Sequence, residues 1–464
     1  PDIVTANVDN GTETVLAPTD YTREVVGSEI LYTVYSYDGL MAWHAEASEG
    51  CVSGTDGSYV IVNLDLQADI TMPVVAAGET NWTPIGCVNN TKERRYRGEI
   101  DGNDHTIYNL SVGTGTDGTG FIGALYEGSV KNLKFSNVTV SSSQNYTGTV
   151  VGYIYSGLID NCHVLSGTVT TSASYTGGIA GQGPDDAVYV TNCSNAAVIS
   201  SIGGHTGGIA GDTDVDNCTN TASVTGGAEY TGGIVGYGDV SNSTNSGAVT
   251  GTSYTGGIVG KGTVTGSDNE GDVNTTKAGD YLGGITGNGG ATDCNNYGDV
   301  IRIHGSSSEY TGGISGYSSQ PVTNCTNSGK VDGSLYVGGI AGYISGTSVT
   351  DCENYGVVSA DRWHIGGIVG HCLKSTVSGC TNKADISSVG STASNATSVA
   401  GIAGYVEGDT SSISGNVNEA DIIGYRALGG IVGRLVSGTV SGNKHTGNVS
   451  WLDNTTGYNG LIVG

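Results

Sequence analysis

One heptad dominates this chain: Tyr-Thr-Gly-Gly-Ile-Ala-Gly at Tyr175–Gly181 returns, with small changes, at His205, Tyr230, Tyr254, Tyr281, Tyr310, Tyr336 and His364. Degenerate copies flank these, from the stretch around Gly120 to the last residues of the chain. Taking the closing glycine as a marker gives Gly123, Gly152, Gly181, Gly211, Gly236, Gly260, Gly287, Gly316, Gly342, Gly370, Gly404, Gly433 and Gly464, a mean period of about 28 residues. A period of that size is the signature of units that stack only on their neighbours. With 80 glycines, 6 prolines, 2 phenylalanines and 2 methionines, the units cannot be helical, and the glycines follow no three-residue collagen period.

Each unit carries three short apolar stretches separated by Gly, Asn, Asp, Ser and Thr, which is strand-and-turn punctuation with no room for a helix. The reading is therefore all-β: a right-handed parallel β-solenoid of about 13 triangular coils, three strands to a coil, the hand following the preference of β crossovers. Equivalent positions should then lie about 4.8 Å apart in columns. One column runs Phe121, Val150, Ile179, Ile209, Ile234 and on to Ile431 and Ile462, a core ladder. A second holds Leu133, Cys162, Cys193, Cys218, Ser243, Ser267, Cys294, Cys325, Cys352, Cys380, Asn416 and Asn443. Exchange of Cys with Ser, Leu and Asn argues against obligatory disulfides and for small half-buried side chains on the inner wall. Cys51, Cys87 and Cys372 lie outside this column, and a Cys51–Cys87 bridge is conceivable on sequence grounds alone. Two residues past the cysteine position stands a run of asparagines from Asn195 to Asn418, read as an amide ladder at a corner, Asn also tolerating left-handed backbone.

Residues 1–95 lack the repeat and are read as a cap segment with the first strands, residues 96–464 as the solenoid. Within the first segment, Asp38 reads as a helix cap, Leu40, Trp43 and Ala47 as one buried face and Gly50 as a stop, giving a short helix over the open mouth of the solenoid. Alternation at Val60, Val62, Leu64 and Leu66 reads as the first strand. Gly464 closes a marker with no second half behind it, so the natural protein is expected to continue with flanking domains.

The marker followed by Asn-Cys-Thr-Asn-Ser-Gly, preceded by Asn81–Gly86 (NWTPIG) and Tyr96–Leu110 (YRGEIDGNDHTIYNL), resembles the GLUG-repeat proteins. Such repeats stand beside bacterial peptidases that cleave immunoglobulin A and in surface proteins of gut bacteria. The one departure, Asp104 before His105, touches only turn geometry. The resemblance implies an exported, extracellular β-solenoid at a bacterial cell surface, used for adhesion. It brings no peptidase: the eight histidines form no His-Glu-x-x-His, and no Gly-x-Ser-x-Gly elbow stands between a strand and a helix.

With 17 basic against 44 acidic residues and a formal charge of −27, nucleic acid and anionic membrane surfaces are poor partners, and no apolar run is long enough to span a bilayer. What remains is a glycan or a host surface protein. Candidate contacts come from an aromatic column after the closing glycine, Tyr153, Tyr237, Tyr317, Tyr343 and Tyr405, with His371 and Arg434 among them; strand parity aims it outward, where rings can stack on sugars. A second column, Tyr146 to His364 before the paired glycines, is expected to face inward or cap a corner. Arg362, Trp363 and His364 form a further candidate contact. Asp185, Asp186, Asp212, Asp214, Asp216 and Asp239 fall in three consecutive coils, where oxygen-rich neighbours suit Ca²⁺, or a carboxylate pair suits a glycoside hydrolase, or ordinary turn aspartates are simply solvated. The basic cluster Lys92, Arg94, Arg95 and Arg97 suits an anion or plain solvent. The leading expectation is a non-enzymatic stalk or adhesin without a cofactor; a carbohydrate-active enzyme using the Asp cluster and a plain structural spacer are the alternatives.

Overall fold

The computed structural model describes residues 20–51, 60–88, 94–184, 187–276, 281–302, 309–389, 398–452 and 459–460. One representative coil shows how the repeat folds. Its strands are Thr206–Gly207, Ala210–Asp212, Asp214–Asp216, Thr219–Asn220 and Val224–Gly226, and each pairs in parallel with its counterpart one repeat later. The five positions, taken in that order, build sheets 1 to 5 of 10, 12, 16, 14 and 13 strands among the described residues, a parallel β-solenoid of about 14 turns.

Five strands replace the three expected, because two stretches that read as continuous are each broken once. In the marker, the chain bends at Gly208 and Ile209, between sheets 1 and 2. Before the cysteine position it turns at a left-handed residue: Asn132, Asn161, Asn192, Asn217, Asn242, Asp293, Asn324 and Asp351 have φ between 49° and 55°, and Gly266, Gly379, Gly415 and Gly442 continue the column. Asn, Asp and Gly are the residues that tolerate that backbone. The left-handed corner thus belongs to this column and not to the asparagines from Asn195 to Asn418, none of which has positive φ.

Those asparagines form an amide ladder through the interior. Asn195, Asn220, Asn245, Asn269, Asn296, Asn327, Asn354 and Asn382 each donate Nδ2 to the Oδ1 of the next at 2.7–3.0 Å, and Asn418 ends the run on His445 Nδ1 at 2.9 Å. Nδ2 also donates to the carbonyl two residues on, as from Asn296 to Gly298 O at 2.8 Å. Each asparagine is at most 1% exposed, so every amide group finds its partner inside the wall. The ladder explains the second glycine of the marker. A Cβ on Gly284 would lie 2.1 Å from Gly313 O and 2.4 Å from Asn296 Cγ, so a side chain and the amide cannot share the space.

The Ile column is buried at 0% exposure from Phe121 to Ile431, joined coil to coil by backbone bonds such as Ile258 N to Ile285 O at 3.0 Å. Ile462 lies outside the described residues. The cysteine column is buried from Leu133 to Asn416, deeper than the half-burial expected, with Asn443 half-buried at its end, and all ten cysteines are free thiols, Cys51 and Cys87 included. Its side chains share one task. The backbone N–H of each residue donates to the side chain one coil on, Cys193 N to Cys218 Sγ at 3.2 Å, Cys218 N to Ser243 Oγ at 3.0 Å, Cys380 N to Asn416 Oδ1 at 2.9 Å. Any small residue with an acceptor serves, which is why Cys, Ser and Asn interchange. Burial holds the Cys193 thiol well above its ordinary range and pushes Cys372 up to about 12, so these thiols are poor nucleophiles.

At the N-terminal end, β1 (Tyr21–Val26) pairs antiparallel with β2 (Glu29–Val34), and β2 pairs in parallel with β3 (Ile61–Leu66), which leads into sheet 3. Among the described residues the first strand is thus Tyr21–Val26, upstream of the alternation expected at Val60, Val62, Leu64 and Leu66, of which the last three are buried in β3 and Val60 is exposed just before it. Helix α1 (Tyr37–Gly50) buries Leu40, Trp43 and Ala47. Its N-cap is Ser36, whose Oγ accepts from Gly39 N at 3.2 Å, with Asp38 inside the first turn, where its charge suits the helix dipole. Trp43 stacks on Trp82 and on Phe121, the first residue of the core column, at centroid distances of 6.4 and 5.8 Å, so aromatic rings close the first coils beneath the helix. Among the described residues no helix is long and apolar enough to cross a membrane.

Candidate functional site

Sheet 2 places one outward side chain per coil in a straight row. Successive pairings link Tyr153, Gln182, Asp212, Tyr237, Lys261 and Asn288, then Tyr317, Tyr343, His371, Tyr405 and Arg434. The five tyrosines expected there are present and half-buried. Of the residues between them, Gln182, Lys261 and Asn288 carry no signal of their own in the sequence, although each follows a closing glycine and so occupies the same column.

The column before the paired glycines does not face inward. Tyr281, Tyr310 and Tyr336 are half-buried, while the inward positions of sheet 1 belong to Leu282, Thr311 and Val337 at 0% exposure. The bend between sheets 1 and 2 resets the alternation, so parity counted from the core Ile does not carry across it. Both aromatic columns therefore stand on one wall. Tyr281, Tyr310 and Tyr336 lie nearly parallel at 5.3 and 5.1 Å, and Tyr317 and Tyr343 cross them at 69–85°. This edge-to-face herringbone satisfies the ring quadrupoles, and tilted and stacked contacts carry the ring packing on through His364, His371 and Tyr405. Burial raises the Tyr343 phenol to about 12 and lifts Tyr146, Tyr153, Tyr230 and Tyr336, so the hydroxyls stay protonated donors.

Cations lie on two rings of the row and on two tyrosines outside it, one of which, Tyr155, packs against Tyr153. Arg95 stacks 3.2 Å over Tyr155, Arg97 4.3 Å over Tyr126, Lys261 5.4 Å from the Tyr237 ring and Arg434 5.6 Å from Tyr405. Two members of the basic cluster are thus stacked on tyrosine rings, with Arg97 also paired to Glu127 at 3.0 Å; Lys92 lies outside the described residues. Of the Arg362, Trp363 and His364 triplet, His364 is part of the wall, its Nδ1 2.6 Å from Ser398 Oγ, and Trp363 is 44% exposed, its ring perpendicular to Tyr336. Arg362 is half-exposed beside them.

The aspartates do not converge. Asp212 is 5% exposed and accepts from Gln182 Nε2 at 3.2 Å, with His205 Nδ1 at 3.1 Å. Asp214 Oδ1 accepts from Asp239 N and Asp239 Oδ1 from Thr263 N, both at 2.8 Å, a turn ladder in which each carboxylate bonds the next coil's backbone. Asp216 accepts from Ser241 Oγ and Asn242 Nδ2. Asp185 and Asp186 lie outside the described residues, and among those described no three His, Cys, Asp or Glu side chains are grouped to hold a metal ion. Stacked carboxylates repel each other, and at Asp214 and Asp239 these backbone donors offset that repulsion without a cation.

Beside the row, a groove of about 340 Å³ opens between sheets 2 and 3, lined by Tyr237, Lys261 and Asn288 on one side, by Asp214, Asp239 and Thr263 on the other, and by Gln320 at one end.

His364 illustrates what packing in the wall does to a titratable group. Burial lowers its pKa to about 3, with His371 and Arg434 adding repulsion. The folded state then holds it neutral while the unfolded chain takes up a proton near pH 6.5, so its contribution to stability is present above pH 6.5 and lost as pH falls toward 3. Most other coils carry Tyr here. Replacing His364 by Tyr is expected to remove on the order of 3 kcal/mol of the stability lost between pH 6.5 and 3. Urea melts at several pH values check this; parallel pH profiles for both proteins would contradict it.

No family model matches the chain, and no curated protein matches it. Among solved structures, a candidate immunoglobulin A1 protease from Bacteroides ovatus is similar at 22% identity, over 60% of this chain and 80% of that one, with a TM-score of 0.42.

Proposed function

We propose that this chain is a non-enzymatic, cell-surface repeat protein of the GLUG type that binds an extended glycan along its aromatic wall. The observation that supports the reading is the sheet 2 row: five half-buried tyrosine rings with polar side chains between them, of which Asp212 and His371 are buried, one per coil in unbroken parallel register from Tyr153 to Arg434. Aromatic rings with amide, carboxylate, ammonium and phenol groups suit the two faces of a sugar, its C–H surface and its hydroxyls. The −27 charge favours a neutral or weakly charged partner. Bacterial export and an adhesive role follow from the GLUG resemblance and belong to the same proposal.

A glycan array with the wild-type protein and a Tyr237→Ala, Tyr343→Ala double variant tests it. The expected result is retention of at least one glycan class without turnover, weakened tenfold or more in the variant, while a Tyr297→Ala, Tyr355→Ala control on another face binds as wild type. Equal retention by wild type and wall variant would overturn the wall as the binding face, and release of reducing ends would favour the hydrolase alternative.

A further inference from the structure

The groove beside the row has a shape that the wall alone does not require. Its lining comes from five successive coils, Asp214 in the first, Tyr237 and Asp239, Lys261 and Thr263, Asn288, then Gln320 in the fifth. Four coil steps make it about 19 Å long, parallel to the solenoid axis. Its floor is bare backbone. Gly238, Gly262 and Gly289 have φ of 138°, 151° and 159°, a region that side chains rarely enter, and a Cβ on Gly262 would meet Gly238 O at 1.9 Å. The glycine column holds a trench open between two rows of polar side chains.

Building on the wall reading, we infer that this trench is a subsite for an internal segment of a linear, neutral oligosaccharide lying along the axis. The side chains repeat at the coil step of about 4.8 Å, whereas an extended peptide advances about 3.3 Å per residue and so matches only every second coil, three residues to two steps. A pyranose unit in an extended chain has a length close to that step. The groups presented, carboxylate, phenol, ammonium and amide, match vicinal hydroxyls, which both donate and accept. Two carboxylates against one ammonium, in a chain of charge −27, disfavour a polyanion.

Titration calorimetry with cello-, manno-, xylo- and galacto-oligosaccharides of one to six residues, and with oligogalacturonides, decides the matter. Thr263 is exposed at the trench edge, so Thr263→Trp fills the trench without entering the core. The inference expects one neutral series to gain at least tenfold in affinity from one to four residues and then level off, oligogalacturonides to bind more weakly, and Thr263→Trp to lose tenfold or more with an unchanged melting temperature. A monosaccharide that binds as tightly as a tetrasaccharide, tighter binding of oligogalacturonides, or wild-type affinity in Thr263→Trp would overturn it. If Tyr237→Ala, Tyr343→Ala abolishes binding while Thr263→Trp does not, the trench fails and the wall stands; if no neutral series binds at all, the trench fails, and the array result alone judges the wall.

Discussion

Replacing Gly284 by alanine is expected to unfold the coil that contains it. The new Cβ would stand 2.1 Å from Gly313 O and 2.4 Å from Asn296 Cγ, and neither can retreat. Gly313 is itself the matching glycine of the next coil, with Asn327 Cγ 2.3 Å from its own missing Cβ, and Asn296 is held at both ends of its amide. A clash with backbone on one side and a hydrogen-bonded ladder on the other puts the cost at roughly 4 kcal/mol or more, among the largest single-site effects. Because a solenoid is nearly one-dimensional, the loss should appear first as local opening. Amide hydrogen exchange checks it: protection should fall in the coils around residues 281–300 and persist near the N-terminal helix. Gly346, with open space around its Cβ position, serves as the control; its φ of 66° alone should cost about 1 kcal/mol on mutation to alanine. Equal exchange profiles for Gly284→Ala and wild type would contradict the steric account.

The second large effect concerns the amide ladder itself. Asn296→Asp keeps the shape and removes two donors, leaving Gly298 O and Asn327 Oδ1 facing an acceptor in a site with no exposure. Each buried group left unpaired costs about 1–3 kcal/mol, and a buried carboxylate adds its own desolvation, so about 3–5 kcal/mol is expected at pH 7. Protonation would restore one donor. The introduced carboxyl should therefore have a folded pKa above its unfolded value near 3.9, and the deficit relative to wild type should be smallest below pH 4 and grow as pH rises through the folded pKa. Urea melts of both proteins at pH 4 and pH 7 measure it; a deficit independent of pH would mean that the ladder works by packing and not by its hydrogen bonds.

Both variants probe features that were partly legible in the sequence. The columns were readable because a solenoid turns sequence period into vertical register: the Ile ladder, the cysteine position and the stacked asparagines all lie where the repeat puts them. The number of strands was not readable, since Gly208 and the left-handed Asn217 interrupt stretches whose hydropathy looks continuous. The same bend misdirected the inward expectation for Tyr281 and Tyr310, because alternation holds only within one strand. Asp38 and Ser36 are equally good capping residues two positions apart, and only the backbone chooses Ser36. The trench escaped notice for a different reason. Lys261, Asn288 and Thr263 vary in type along their columns, and their common property, flanking a glycine held at positive φ, is conformational.

The central claim is that the sheet 2 wall is the face that meets a ligand. Hydroxyl-radical footprinting read by mass spectrometry tests it most directly, with the protein alone and saturated with a glycan retained on the array. Protection is expected at Tyr237, Tyr317, Tyr343 and Tyr405, with Trp363 at the margin, and no change at Tyr297 and Tyr355, which stand exposed on another face. Protection at Tyr297 and Tyr355 with the wall residues unchanged would contradict the account.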